Sequence, residues 1–131
     1  MNRLIGILQL IRPAQWSKNV VIFAAVLFSP AKILLQNPDV GWVVVQGFLA
    51  FCLLSGGVYA FNDLFDLKAD RNHPRKKNRP IASSRVSPAT AWAVAVVCVG
   101  GGIYWGFALN AYFGWISAAY LVTNVAYTVG L

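Results

Sequence analysis

The chain has no glutamate, and its whole stock of negative charge is four aspartates set against eleven lysines and arginines. Charged residues make up 11% of the 131 positions while 58% are hydrophobic, which excludes an ordinary soluble domain despite a length that suits one. Charge is also missing in long blocks. None occurs from Val40 to Phe61, a run of 22 residues, or from Val86 to Leu131, a run of 46. At about 1.5 Å per residue the first crosses a bilayer core once and the second twice, with a break near Asn110 to Gly114. Cysteine is scarce: Cys52 and Cys98 fall inside different apolar runs without metal-ligand spacing, so neither a disulfide framework nor a zinc site is expected, only buried thiols. No repeat of 20 to 50 residues, low-complexity linker or second soluble domain is present, and no small-residue cleavage site follows an apolar core near the N-terminus.

What is there is an all-α membrane protein of about four transmembrane helices, expected at 19–36, 40–63, 88–109 and 113–131. The first is the weakest, containing Pro30 and Lys32, and reads as a short or bent span whose lysine snorkels. Placement of the cations explains their excess without nucleic acid. Arg3, Arg12 and Lys18 precede the first span and seven more lie from Lys68 to Arg85, whereas the opposite side holds only Lys32. By the positive-inside rule the N-terminus and the loop at about 67–87 face the cytoplasm of a multi-pass inner (plasma) membrane protein.

Three of the four acids crowd into "NDLFDLKAD", at the rim of the second span. If that span continues as one helix, Asp63, Asp66 and Asp70 fall within an arc of about 60°. Neighbours at three and four positions are the ones that touch. None of those neighbours of the three aspartates is lysine or arginine, and only His73 reaches Asp70. The carboxylates repel one another near a helix C-terminus, where the macrodipole also disfavours them. Either the segment is a simple charged cap or a hard cation completes it, and Mg²⁺, which takes one or two carboxylates plus phosphates and waters, suits the pattern better than Ca²⁺.

The run "HPRKKNRP" follows, its two prolines expected to end the helix and keep the loop extended. Lys76 and Arg79 flank the carboxylate face, and bases that hold phosphate beside acids that hold metal make a diphosphate site. Arg75 and Lys77 read as a topology signal or lipid contact. On the same side "RPAQWSKN" adds Arg12, Gln15, Lys18 and Asn19, with Trp16 as an interfacial anchor; for Arg12, lipid headgroup and substrate are equal readings. Gly56-Gly57 and Gly100 to Gly102 read as close helix contacts.

The motif "NDLFDLKAD", Asn62 to Asp70, resembles the N-D-x-x-D-x-x-x-D pattern of the UbiA superfamily of intramembrane prenyltransferases. "RPAQWSKN" and "HPRKKNRPIASS" are similar to its decaprenyl-phosphate phosphoribosyltransferase branch, which makes polyprenyl-phosphoryl ribose. The resemblance implies a nine-helix bundle of which this chain is the N-terminal portion, and a transfer of 5-phosphoribosyl from phosphoribosyl pyrophosphate to a polyprenyl (decaprenyl) phosphate for cell-wall arabinan. It implies Mg²⁺ at Asp63, Asp66 and Asp70, with Asp63 and Asp66 catalytic, and substrate contacts from Lys18, Asn62, Lys76 and Arg79. Its second aspartate motif has no counterpart after Asp70, so the missing C-terminal helices, or a homo-oligomer, are expected to complete the site within membrane lipid. Alternatives are an aromatic prenyltransferase using a polyprenyl diphosphate, and a non-catalytic membrane remnant or subunit.

Overall fold

The computed structural model describes residues 2–19 and 38–130, with side chains for 4–19 and 41–130. The expected span at 19–36 therefore lies outside the described residues, apart from Asn19. All regular structure among those described is helical. Helix α1 (Asn2–Ile11) leads into a 3-10 turn (Pro13–Trp16); α2 (Pro38–Phe65) is followed by the short α3 (Leu67–Arg71), a 3-10 turn (Lys76–Asn78), α4 (Pro88–Leu109) and α5 (Ala111–Thr128).

Each boundary has a local cause. Ser87 caps α4 by accepting from the Thr90 amide at 3.2 Å, and Pro88 at the first helical position gives up an amide that would have no partner. Asn110 ends α4 and caps α5 through its side-chain oxygen, which accepts from the amides of Tyr112 and Phe113. The basic loop is not extended, contrary to expectation. His73 Nδ1 accepts from the amides of Arg75 and Lys76, both at 3.1 Å, and this folds the chain into turns that lead to the Lys76–Asn78 3-10 turn.

Helices α2 and α4 pack on each other through small residues. A side chain at Gly102 would meet the Leu54 backbone nitrogen at 2.9 Å, and one at Gly57 would meet the Val99 backbone nitrogen at 2.9 Å. Gly56 is closed by Ile11 of α1, whereas Gly100 faces open space, so the expectation of close contact fails at that one position. Leu10, Ala60, Ile81, Val86, Ala91 and Ala95 form a core where α1, the loop and the adjoining ends of α2 and α4 meet. A second core joins Phe51, Leu54 and Val58 of α2 to Val99 and Ile103 of α4 and to α5.

Gly41–Phe65 within α2 and all of α4 are long and apolar enough to cross a membrane. Only 17% of the most apolar window of α4 is buried within the protein, and Trp92, Val96, Val97 and Tyr104 point outward. An apolar exterior of this kind suits lipid rather than water. Ser117, Thr123, Asn124 and Thr128 make α5 less apolar, and it falls short by composition.

Candidate functional site

The acidic motif is not one straight helix. α2 ends at Phe65, Asp66 takes φ −90° and ψ 8°, and α3 begins at Leu67, although the amides of Asp66 and Asp70 still bond to carbonyls four residues back. Across this joint Asp63 and Asp70 turn to a common partner. Arg79 Nη1 donates to Asp63 Oδ1 at 3.3 Å and to Asp70 Oδ2 at 3.0 Å. Both carboxylates are about 2% exposed, so their charge is removed from water and depends on those donors.

A second arginine arrives from the N-terminal segment. Arg12 Nη2 donates to the same Asp63 Oδ1 at 2.6 Å, and the guanidinium lies 4.8 Å from the centre of the Tyr59 ring. The backbone at Arg12 is left-handed, φ 53° and ψ 66°, at the bend between α1 and the 3-10 turn. A non-glycine residue in that region is strained. Along the helix the acids have no basic neighbour, but the fold brings cations from 51 and 16 positions away. The reading that nothing in the chain neutralises the acids is thus corrected: Arg12 and Arg79 do so for Asp63, and Arg79 for Asp70.

Asp66 stands apart, half-buried, its carboxylate without a hydrogen bond or ion pair among the described residues. It lines a cavity of about 280 Å³ with Arg12, Tyr59, Asn62, Lys76, Arg79, Tyr127 and Thr128. Thr128 donates to the Asn62 side-chain oxygen and so fixes that wall of the cavity to the end of α5. Of the residues expected to contact substrate, Asn62, Lys76 and Arg79 meet here. Lys18 is exposed and lies outside the lining. His73, considered as a neighbour for Asp70, instead accepts the loop amides.

Nothing in the motifs marks Tyr59, Tyr127 and Thr128 as lining residues, and for Arg12 the cavity favours substrate over a lipid headgroup. Arg12 had a signal, since it stands on the same face of the membrane as the acids; the tyrosines and Thr128 had none apart from sitting near helix ends.

Among the described residues no three His, Cys, Asp or Glu side chains come together as a metal cage. Asp63 Oδ2 is nevertheless buried without a hydrogen-bond partner, unlike any other buried side-chain nitrogen or oxygen among the described residues. It belongs to the residue one helical turn before Asp66. Asp66 is on the cavity wall, whereas Asp63 and Asp70 are not part of its lining; the free Asp66 carboxylate with the uncommitted Asp63 oxygen one turn behind it matches the small protein share that Mg²⁺ takes when phosphates and waters supply the rest. Asp70, held by Arg79, adds less to that donor set.

The family model that describes UbiA prenyltransferases matches residues 18–131. The chain belongs to the UbiA prenyltransferase family. It is 34% identical over 131 residues to the decaprenyl-phosphate phosphoribosyltransferase of Mycolicibacterium smegmatis, covering 99% of this chain and 41% of that protein. It is 35% identical to the protein of that name from Mycobacterium tuberculosis, covering 99% and 43%. Nodulation protein NoeC of Azorhizobium caulinodans is 39% identical over 121 residues, covering 88% and 36%. The chain thus spans less than half the length of these curated relatives. As a UbiA-family chain it is an all-helical membrane protein, and its conjoined acids and arginines lie at one end of the apolar helix α2.

Proposed function

We propose that this UbiA-family chain builds the diphosphate-binding part of an enzyme that transfers 5-phosphoribosyl from phosphoribosyl pyrophosphate to a polyprenyl (decaprenyl) phosphate. The observation that carries the reading is the cavity itself: Arg12, Lys76 and Arg79 supply positive charge around the unpaired carboxylate of Asp66. Three cations about one acid suit a diphosphate that arrives with a divalent metal. The names of the mycobacterial relatives support the ribose donor over a prenyl diphosphate. The wider role, a step toward cell-wall arabinan, follows from the same resemblance.

In this reading Asp63 and Asp66 hold Mg²⁺, with Asp70 acting on the site mainly through Arg79. When bound, the ion neutralises charge that develops on the leaving pyrophosphate. Arg79 and Lys76 take phosphate oxygens, and Asn62, braced by Thr128, orients the donor. The acceptor phosphate forms a bond to the anomeric carbon, while the bond from that carbon to pyrophosphate breaks and its electron pair leaves with the pyrophosphate. Lys18, exposed outside the cavity, is assigned to an approaching phosphate rather than the bound one.

An apolar cavity of about 370 Å³, bordered by Val58, Phe61, Trp92, Val99, Leu121 and Val125, lies between α2, α4 and α5 and suits an isoprenoid tail. Cytoplasmic exposure of the basic loop in an inner membrane completes the assignment, because a water-soluble donor must reach the cavity. The test is Mg²⁺-dependent binding of phosphoribosyl pyrophosphate to the purified chain. Asp66→Ala is expected to remove that dependence while membrane insertion is retained; equal binding by Asp66→Ala and the parent chain would refute the assignment.

A further inference from the structure

Asp63 is held in a way that neither a metal site nor a structural ion pair explains alone. One oxygen is bonded by two arginines, and the other is buried with no partner. A static ion pair would be expected to share donors between both oxygens, since an arginine presents a two-pronged fork that matches a carboxylate. Neither Arg12 nor Arg79 does so. Both arginines also reach the cavity wall, so the groups that bond Asp63 are the ones available to an incoming diphosphate.

We propose that Arg12 is an exchangeable lock on Asp63: it holds the carboxylate before substrate enters, then passes to a diphosphate oxygen, leaving Asp63 free for the cation. The proposal rests on the diphosphate reading and deepens it. Metal and diphosphate then bind as a pair, because each improves the site for the other.

The geometry favours Arg12 over Arg79 as the moving part. Arg79 bridges two buried acids, so its departure would strand Asp70 as well as Asp63. Both side chains are equally exposed, at 27%, but Arg12 bonds Asp63 alone. It sits at a strained left-handed bend between α1 and the 3-10 turn. The guanidinium already lies over the Tyr59 ring while it bonds Asp63, and Tyr59 also lines the cavity, so the cation has a partner there when its bond to Asp63 is released.

The experiment is binding of Mn²⁺ to the full chain in detergent, read by electron paramagnetic resonance without any diphosphate, for the parent chain, Arg12→Gln, Arg12→Lys and Arg12→Gln with Asp63→Asn. Helix content by circular dichroism verifies that each variant is folded. Removing the lock is expected to tighten Mn²⁺ by about fivefold in Arg12→Gln, the upper end of the effect of one partly exposed ion pair. Arg12→Lys keeps the charge and stays near the parent affinity, and Asp63→Asn cancels the gain. In parallel, pyrophosphate alone should bind less well to Arg12→Gln than to the parent.

Equal Mn²⁺ affinity in the parent and in folded Arg12→Gln overturns the lock, while Mg²⁺-dependent diphosphate binding by the parent would leave the site reading standing. Loss of Mn²⁺ binding in Arg12→Gln overturns it too, by making Arg12 a support for the metal site. Failure of the parent to bind either ligand, separately or together, overturns both readings.

Discussion

Removal of Arg79 leaves two buried carboxylates short of a donor, because it is the link between Asp63 and Asp70. Arg79→Ala is therefore expected to destabilise the chain by about 3 kcal/mol, the scale for breaking a buried ion pair by taking one partner away. Lys18→Ala, at an exposed position outside the cavity, should change stability by less than about 0.5 kcal/mol. Thermal unfolding of both variants in detergent checks the contrast, and comparable losses in the two would contradict the ion-pair account. Sequence spacing identified the acids and Arg79 because they lie within one short stretch. It missed the Arg12–Asp63 pair, since no helical periodicity relates residues 51 positions apart. Only tertiary folding closes that distance.

Helix packing depends on which glycine is opposite backbone. Gly102 lies against the Leu54 backbone nitrogen, so a methyl group there cannot be relieved by turning a side chain. Gly102→Ala should push α4 from α2 and cost about 1–3 kcal/mol. Gly100→Ala, two residues earlier, enters open space and should be neutral or stabilise the helix by up to about 1 kcal/mol. Equal thermal shifts for these two variants would refute the packing assignment. The run "GGG" announces a close contact in the sequence but not which member makes it, because that depends on helix rotation against a partner. Breaks between elements were easier to read: Asn110 is polar, flanked by apolar residues and suited to capping, and it does cap α5. The joint at Asp66 was harder, because no glycine or proline marks it.

At the scale of the whole molecule, an apolar exterior, a cationic loop and a partly buried charge network are arranged along one set of helices. The outward faces of α4 carry Trp92, Val96, Val97 and Tyr104, whereas Arg75 and Lys77 are exposed on the loop. With the native cysteines replaced, Lys77→Cys should react with a membrane-impermeant maleimide only from the cytoplasmic side, and labelling from the other side would reverse the proposed topology. The all-helical membrane class was legible in the two long uncharged runs, because a bilayer leaves few alternatives for the backbone. The cavity was legible only in part, as its wall joins the end of α5 to the acidic motif through Thr128 and Asn62, which are 66 positions apart. The most direct measurement for the function is equilibrium binding of phosphoribosyl pyrophosphate to the purified chain, with and without Mg²⁺, against geranyl diphosphate as comparator. The account predicts Mg²⁺-dependent binding with preference for the ribose donor; preference for geranyl diphosphate, or no Mg²⁺-dependent binding of the ribose donor, would contradict it.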